Sequence, residues 1–156
     1  MAVLNELNAF RQVILGERVD RATATLPAST DGALFTITGG RVMVTSIIGE
    51  VTTVIQTQAN NTKLKFNPTA TGADTDLCAA LDITADAVGT LYSITGDFSD
   101  AMKDGLLCLE TDAQLERPIV LSEGAIELDC AATNTGSVSW QVTYIPLDDG
   151  ATIVAA

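Results

Sequence analysis

Between residues 36 and 56 the chain reads TITGGRVMVTSIIGEVTTVIQ, and apolar side chains fall on both alternating faces of what the pattern marks as an extended segment. Successive side chains of a strand point to opposite sides of its sheet. Val42, Val44 and Ile48 therefore share one side, Met43, Thr45 and Ile47 the other, and Val51, Val54 and Ile55 repeat the problem beyond Gly49. Such a strand is either central in a sandwich and covered on both sides, or half covered by its own domain and half by another subunit. With 156 residues and few helical stretches to form a covering layer, the second arrangement is favoured. Soluble monomers rarely leave large apolar patches open, so the expectation is a homo-oligomer.

The rest of the chain points to the same class of fold. Apolar residues make up 47% of it, but only seven are aromatic, so the core is aliphatic. The 21 threonines accompany many valines and isoleucines, and β-branched side chains suit a pleated sheet. The length is that of one domain, large enough to fold without metals or disulfides. The expected fold is all-β: a small antiparallel β-sandwich or barrel-like body over residues 25–156, preceded by an N-terminal arm over residues 1–24. That arm holds the one helix-like spacing, Leu4, Leu7, Phe10 or Arg11, and Ile14, with Gly16 as a stop, and reads as a short helix or an extended strap.

From Ala33 onward, short strands alternate with Gly, Asn, Asp and Pro. Leu34 to Thr38 and Arg41 to Ile48 are joined by Gly39-Gly40, a link suited to the positive φ of a tight hairpin. Gly49-Glu50 marks a bulge or bend before Val51 to Gln58. Strands are also expected at Lys63 to Phe66, closed by Pro68, at Thr90 to Thr95, at Leu106 to Leu109 and at Pro118 to Leu121. The clearest pattern is C-terminal and reads as a hairpin. Ile126, Leu128 and Cys130 face one way, with Glu127 and Asp129 opposite. After ATNTG, Val138, Trp140, Val142 and Tyr144 share a face, which makes Trp140 a core residue.

Charge excludes whole classes of partner. Residues 1–41 carry four Arg against Glu6, Glu17, Asp20 and Asp31, whereas residues 42–156 hold all of the net charge of −12. An acidic body repels phosphate backbones and anionic membrane surfaces, so neither nucleic acid nor membrane is an expected partner. No window approaches the apolar length of a membrane span, and the N-terminus lacks a signal-peptide core, so synthesis in a cytoplasm is expected.

Reaction chemistry finds little to work with. The sequence has no histidine, the commonest general base and zinc ligand. Cys78, Cys108 and Cys130 are widely spaced and odd in number, which fits buried free thiols better than a disulfide framework. Neither GxxxxGK[ST] nor GxGxxG occurs. Asp74 and Asp76, with Asp82 and Asp86 nearby, offer oxygens to Ca²⁺, but the loop lacks the remaining positions of an EF-hand, so solvated turn or cap carboxylates are expected. Glu123 with Glu127, and Asp148 with Asp149, are the pairs a glycosidase would need, but chance supplies such pairs among twenty acids. GDFSDAMKDG, residues 96–105, reads as a capped turn, with Asp97 or Ser99 as N-cap and Gly105 as a helix stop. No catalytic, cofactor-binding or metal-binding residue is assigned, and no enzyme is expected.

At RATATLPASTDGALFTITGGRVMVTSIIGEVTTVIQ and TNTGSVSWQVTYIPLDDGATIVAA, the chain resembles small proteins encoded beside the head genes of tailed bacteriophages and prophages. The similarity extends over residues 21–156, including DLCAALDITADAVGTLYSITGDFSDAM, and is weakest in the arm. The kind it resembles is the capsid decoration, or cement, protein. The resemblance implies a β-rich, non-enzymatic homotrimer on the outer capsid surface of the virion, clamping the major capsid protein against packaged DNA. A low-copy tail or fibre component that binds a host receptor is the alternative.

Overall fold

The structure, a computed structural model, describes residues 12, 14–105 and 114–156. The strand expected at Leu106 to Leu109 and the N-terminal residues 1–11 lie outside them.

Twelve strands follow in chain order: β1 Glu17–Thr25, β2 Asp31–Thr38, β3 Val42–Thr53, β4 Asn61–Pro68, β5 Thr75–Asp76, β6 Leu81–Asp82, β7 Leu91–Ser93, β8 Lys103–Gly105, β9 Ile119–Leu121, β10 Gly124–Cys130, β11 Ser137–Pro146 and β12 Thr152–Ala155. They form two antiparallel sheets. The first runs β1-β11-β3-β7-β8, with β9 also pairing β3; the second runs β12-β2-β10-β4-β5, with β6 also pairing β4. The two sheets pack face to face as an open β-sandwich, so the chain is all-β as its composition predicts. No helix among the described residues is long and apolar enough to cross a membrane.

The second apolar face of β3 is resolved by a bulge. Thr143 of β11 pairs with Ser46 and Tyr144 with Val44, which leaves Thr45 as the extra residue. Each such insertion turns the following side chains over. Val42 and Val44 point inward before it and Ile47 and Val51 after it, and all four are buried. A second shift, between Ser137↔Thr53 and Val138↔Val51, makes Thr52 extra. β3 runs unbroken through Gly49-Glu50, where a bulge or bend was expected, and its register shifts fall at Thr45 and Thr52 instead. β2 uses the same device, because Ile126↔Phe35 is followed by Glu127↔Ala33. Leu34 and Phe35, adjacent in sequence, are consequently both buried.

Neither expected hairpin is one. β2 belongs to the second sheet and β3 to the first, so Gly39-Gly40 is a corner between sheets. The glycines are still required there: both have positive φ, 78° and 134°, and a Cβ on Gly39 would stand 2.3 Å from the Gly150 carbonyl oxygen. Likewise β10 pairs with β2 and β4 while β11 pairs with β1 and β3, so ATNTG crosses the sandwich. The inward faces are those the alternation predicts. Ile126, Leu128, Cys130, Val138, Trp140, Val142 and Tyr144 are all buried.

The N-terminal boundary also falls differently. The Gly16 N–H donates to the Gln12 carbonyl at 2.9 Å, closing one helical turn, and Gly16 ends it with φ of 91°. Residues 17–24, expected in the arm, instead form β1, the outer strand of the first sheet, with Glu17 opposite Tyr144 and Thr25 opposite Ser137. ERVDRATAT shows no apolar alternation because an edge strand draws on the backbone ladder and needs little inward apolar surface. Its charged side chains also guard the edge. Only Val19 packs on the core, and Glu17 accepts a hydrogen bond from the Tyr144 hydroxyl at 2.9 Å.

Candidate functional site

The densest array of charged side chains lies on the outer face of the second sheet. Its residues come from strands whose inner positions are apolar, so the alternation that buries Leu64, Phe66, Ile126 and Leu128 sends Lys63, Lys65, Glu127 and Asp129 outward. Lys65 is bracketed by carboxylates: its ammonium lies 3.0 Å from Asp31, 3.2 Å from Asp74 and 3.9 Å from Asp129. Lys63 lies 2.7 Å from Asp76 and 3.9 Å from Asp129. Glu127 completes the array and accepts a hydrogen bond from the Asn67 amide at 3.2 Å. Carboxylate oxygens of Asp31, Asp74 and Glu127 lie within 4.8 Å of one another. The Lys65 ammonium, held by two of these three, supplies the positive charge there, and its own pKa is raised chiefly by the hydrogen bond to Asp31.

This array separates Asp74, Asp76, Asp82 and Asp86, the four acids expected as turn or cap carboxylates. Asp74 and Asp76 turn to the lysines. Asp82 instead accepts hydrogen bonds from the Asn60 N–H, the Thr84 N–H and the Thr84 hydroxyl, and the Thr84 hydroxyl and the Asn60 N–H lower its pKa. Asp86 accepts from the Tyr92 hydroxyl at 2.5 Å; burial raises its pKa and this bond opposes the rise. The signal for the array was present in sequence as K-x-K at 63–65 and E-x-D at 127–129. Only the pairing of β4 with β10 and of β10 with β2 makes it one site.

The other candidate acids have local duties. Glu123 accepts the Gly39 N–H at 2.9 Å and Glu127 the Asn67 amide, so the two hold different segments. Asp148 receives three hydrogen bonds from Arg41, from the backbone N–H at 2.7 Å, Nε at 2.9 Å and Nη2 at 2.8 Å, which hold its carboxyl well below the usual range. In GDFSDAMKDG, Asp97 caps the N–H and hydroxyl of Ser99 and also binds Arg117 at 2.8 Å. The turn is capped as expected, but no helix follows: Ala101 forms a bridge to Ala79, and Gly105 ends β8.

Cys78 and Cys130 are buried and free. Cys78 Sγ accepts the Leu64 N–H at 3.3 Å and Cys130 Sγ the Thr62 hydroxyl at 3.7 Å. Burial pushes the Cys78 thiol up to about 11 and raises that of Cys130. Cys108 lies outside the described residues.

One apolar groove opens where the free edges of the two sheets meet. Phe66, Leu77, Phe98, Ile119 and Val120 line it around a volume of about 360 Å³. Phe98 and Val120 are about half exposed there.

The architecture thus defines an antiparallel β-sandwich with a lysine–carboxylate array on one outer face. Comparison with protein-family models, curated proteins and solved structures finds no match to this chain.

Proposed function

We propose that this chain is a non-catalytic virion structural protein that decorates and stabilises the outer surface of a tailed-phage capsid, with the major capsid protein and further copies of itself as partners. The observation that carries the reading is the resemblance over residues 21–156 to proteins encoded beside phage head genes. The two segments quoted for it run from Arg21 within β1 through β3 and from before β11 through β12, strands that belong to both sheets. The charge agrees: with −12 overall, the chain suits a surface turned away from packaged DNA. The homotrimer rests on the resemblance, because the bulge at Thr45 turns Ile47 into the core and leaves β3 less surplus surface than its sequence suggested.

The test is the number of copies on purified particles, together with the mass of the isolated protein by light scattering. Many copies per virion and a trimeric mass support a decoration protein. A few copies per virion would make it a tail or fibre component, and a monomeric mass would remove the trimer. Deleting residues 1–11, ahead of the helical turn and β1, is expected to leave the sandwich folded while weakening attachment to empty capsids. Unchanged attachment would move the capsid contact onto the sandwich.

A further inference from the structure

Across the outer face of the second sheet, Asp31 on β2, Asp129 on β10 and Lys63 on β4 stand in one row as direct cross-strand partners. In the neighbouring row Glu127 opposes Lys65, which in turn opposes Asp76. Like charges placed directly opposite each other repel, and Asp31 with Asp129 is such a pair. The charged groups facing Asp129 are Asp31 from β2, Lys63 and Lys65 from β4, Asp74 and Asp76 from β5 and its approach, and Glu127 on its own strand. Five carboxylates therefore share two ammonium groups. Both lysines lie closer to other acids, at 2.7 to 3.2 Å, than to Asp129, at 3.9 Å. Asp129 is thus the least served of the acids within salt-bridge reach, and its side chain is only 28% exposed.

We propose that Asp129 is a proton-operated latch. Protonated, it donates a hydrogen bond to the Asp31 carboxylate across β2 and β10; ionised, it competes for Lys63 and Lys65 against Asp76 and Asp74. Burial, then the charge of Asp31, holds the Asp129 carboxyl above the usual aspartate range, with Lys65 and Lys63 opposing. A proton taken from solvent frees both lysines for Asp74 and Asp76, the acids that fasten β5 and its approach to the sheet. The folded state binds this proton more tightly than the unfolded chain does. The contribution of Asp129 to stability is therefore present in acid and lost as pH rises from the ordinary aspartate value through the native one.

Carboxyl-carbon NMR of the full chain reads the titration of Asp129 directly. Its midpoint is expected above the ordinary value of about 3.9, to fall in Asp31→Asn and to rise in Lys65→Met. A wild-type midpoint at or below the ordinary value overturns the latch, as does one unmoved by Asp31→Asn. Thermal melts give a second readout: Asp129→Asn, which mimics the neutral acid, is expected to gain on the wild type as pH rises from acid to neutral. A difference that does not change with pH overturns the proposal.

Discussion

Trp140 and Gly49 are direct partners between β11 and β3, and the indole ring lies 2.8 Å from where a Cβ on Gly49 would stand. Tyr92 of β7 is Gly49's partner on the opposite side. The two aromatic rings meet over the glycine, 6.3 Å apart and inclined by 25°. The glycine that read as a bend is therefore the space that lets two large side chains stack inside a thin sandwich.

Gly49→Ala is expected to destabilise the protein by about 1–3 kcal/mol through overpacking. Trp140→Ala is expected to cost about 3–5 kcal/mol. Chemical denaturation midpoints check both. A neutral Gly49→Ala would mean that the indole moves aside without loss.

Deleting Thr45 removes the bulge. Val42, Val44, Ile47 and Val51 then fall in unbroken alternation on the face that Tyr144, Val142 and Val138 already line, so the deletion keeps the inward set. The expected outcome is a chain that still folds cooperatively by circular dichroism, destabilised by about 1–3 kcal/mol because the Leu115 N–H loses the Thr45 carbonyl; loss of folding would show that the bulge itself is required.

Asp148→Asn tests the corner beneath Gly39-Gly40. The native carboxyl is held below the usual range by Arg41. Its contribution is therefore present above the unfolded value of about 3.9 and is lost as pH falls through the lower native value. The melting temperature of the variant is expected to lie below that of the wild type at neutral pH, with the gap closing in strong acid.

Alkylation at pH 8 is expected to spare Cys78 and Cys130 in the native protein and to modify both in denaturant. Burial keeps each protonated, and only the thiolate reacts. Cys78→Ala removes the acceptor for the Leu64 N–H and is expected to cost about 1–3 kcal/mol without preventing folding. Rapid native labelling followed by mass spectrometry would show instead that the sandwich opens locally.

Period-two alternation told which side chains of β10 and β11 face inward, from Ile126 to Tyr144, because solvent sorts polar from apolar residues whatever strand lies alongside. It was silent on partners. A backbone ladder is chemically the same for any neighbour, so Gly39-Gly40 and ATNTG read as hairpins when they are corners between sheets. The bulges at Leu34, Thr45 and Thr52 left no mark in the local pattern except apolar residues that a regular strand would send both ways. Lys63, Lys65, Asp31 and Asp129 are far apart in the chain, and only strand order brings them together. Sequence by itself determined an aliphatic, acidic, all-β chain and most of its inward faces, since these follow from the transfer of individual side chains out of water. Tertiary structure decided sheet membership, bulge positions and the lysine–carboxylate array, because each depends on which strands lie side by side across long stretches of chain.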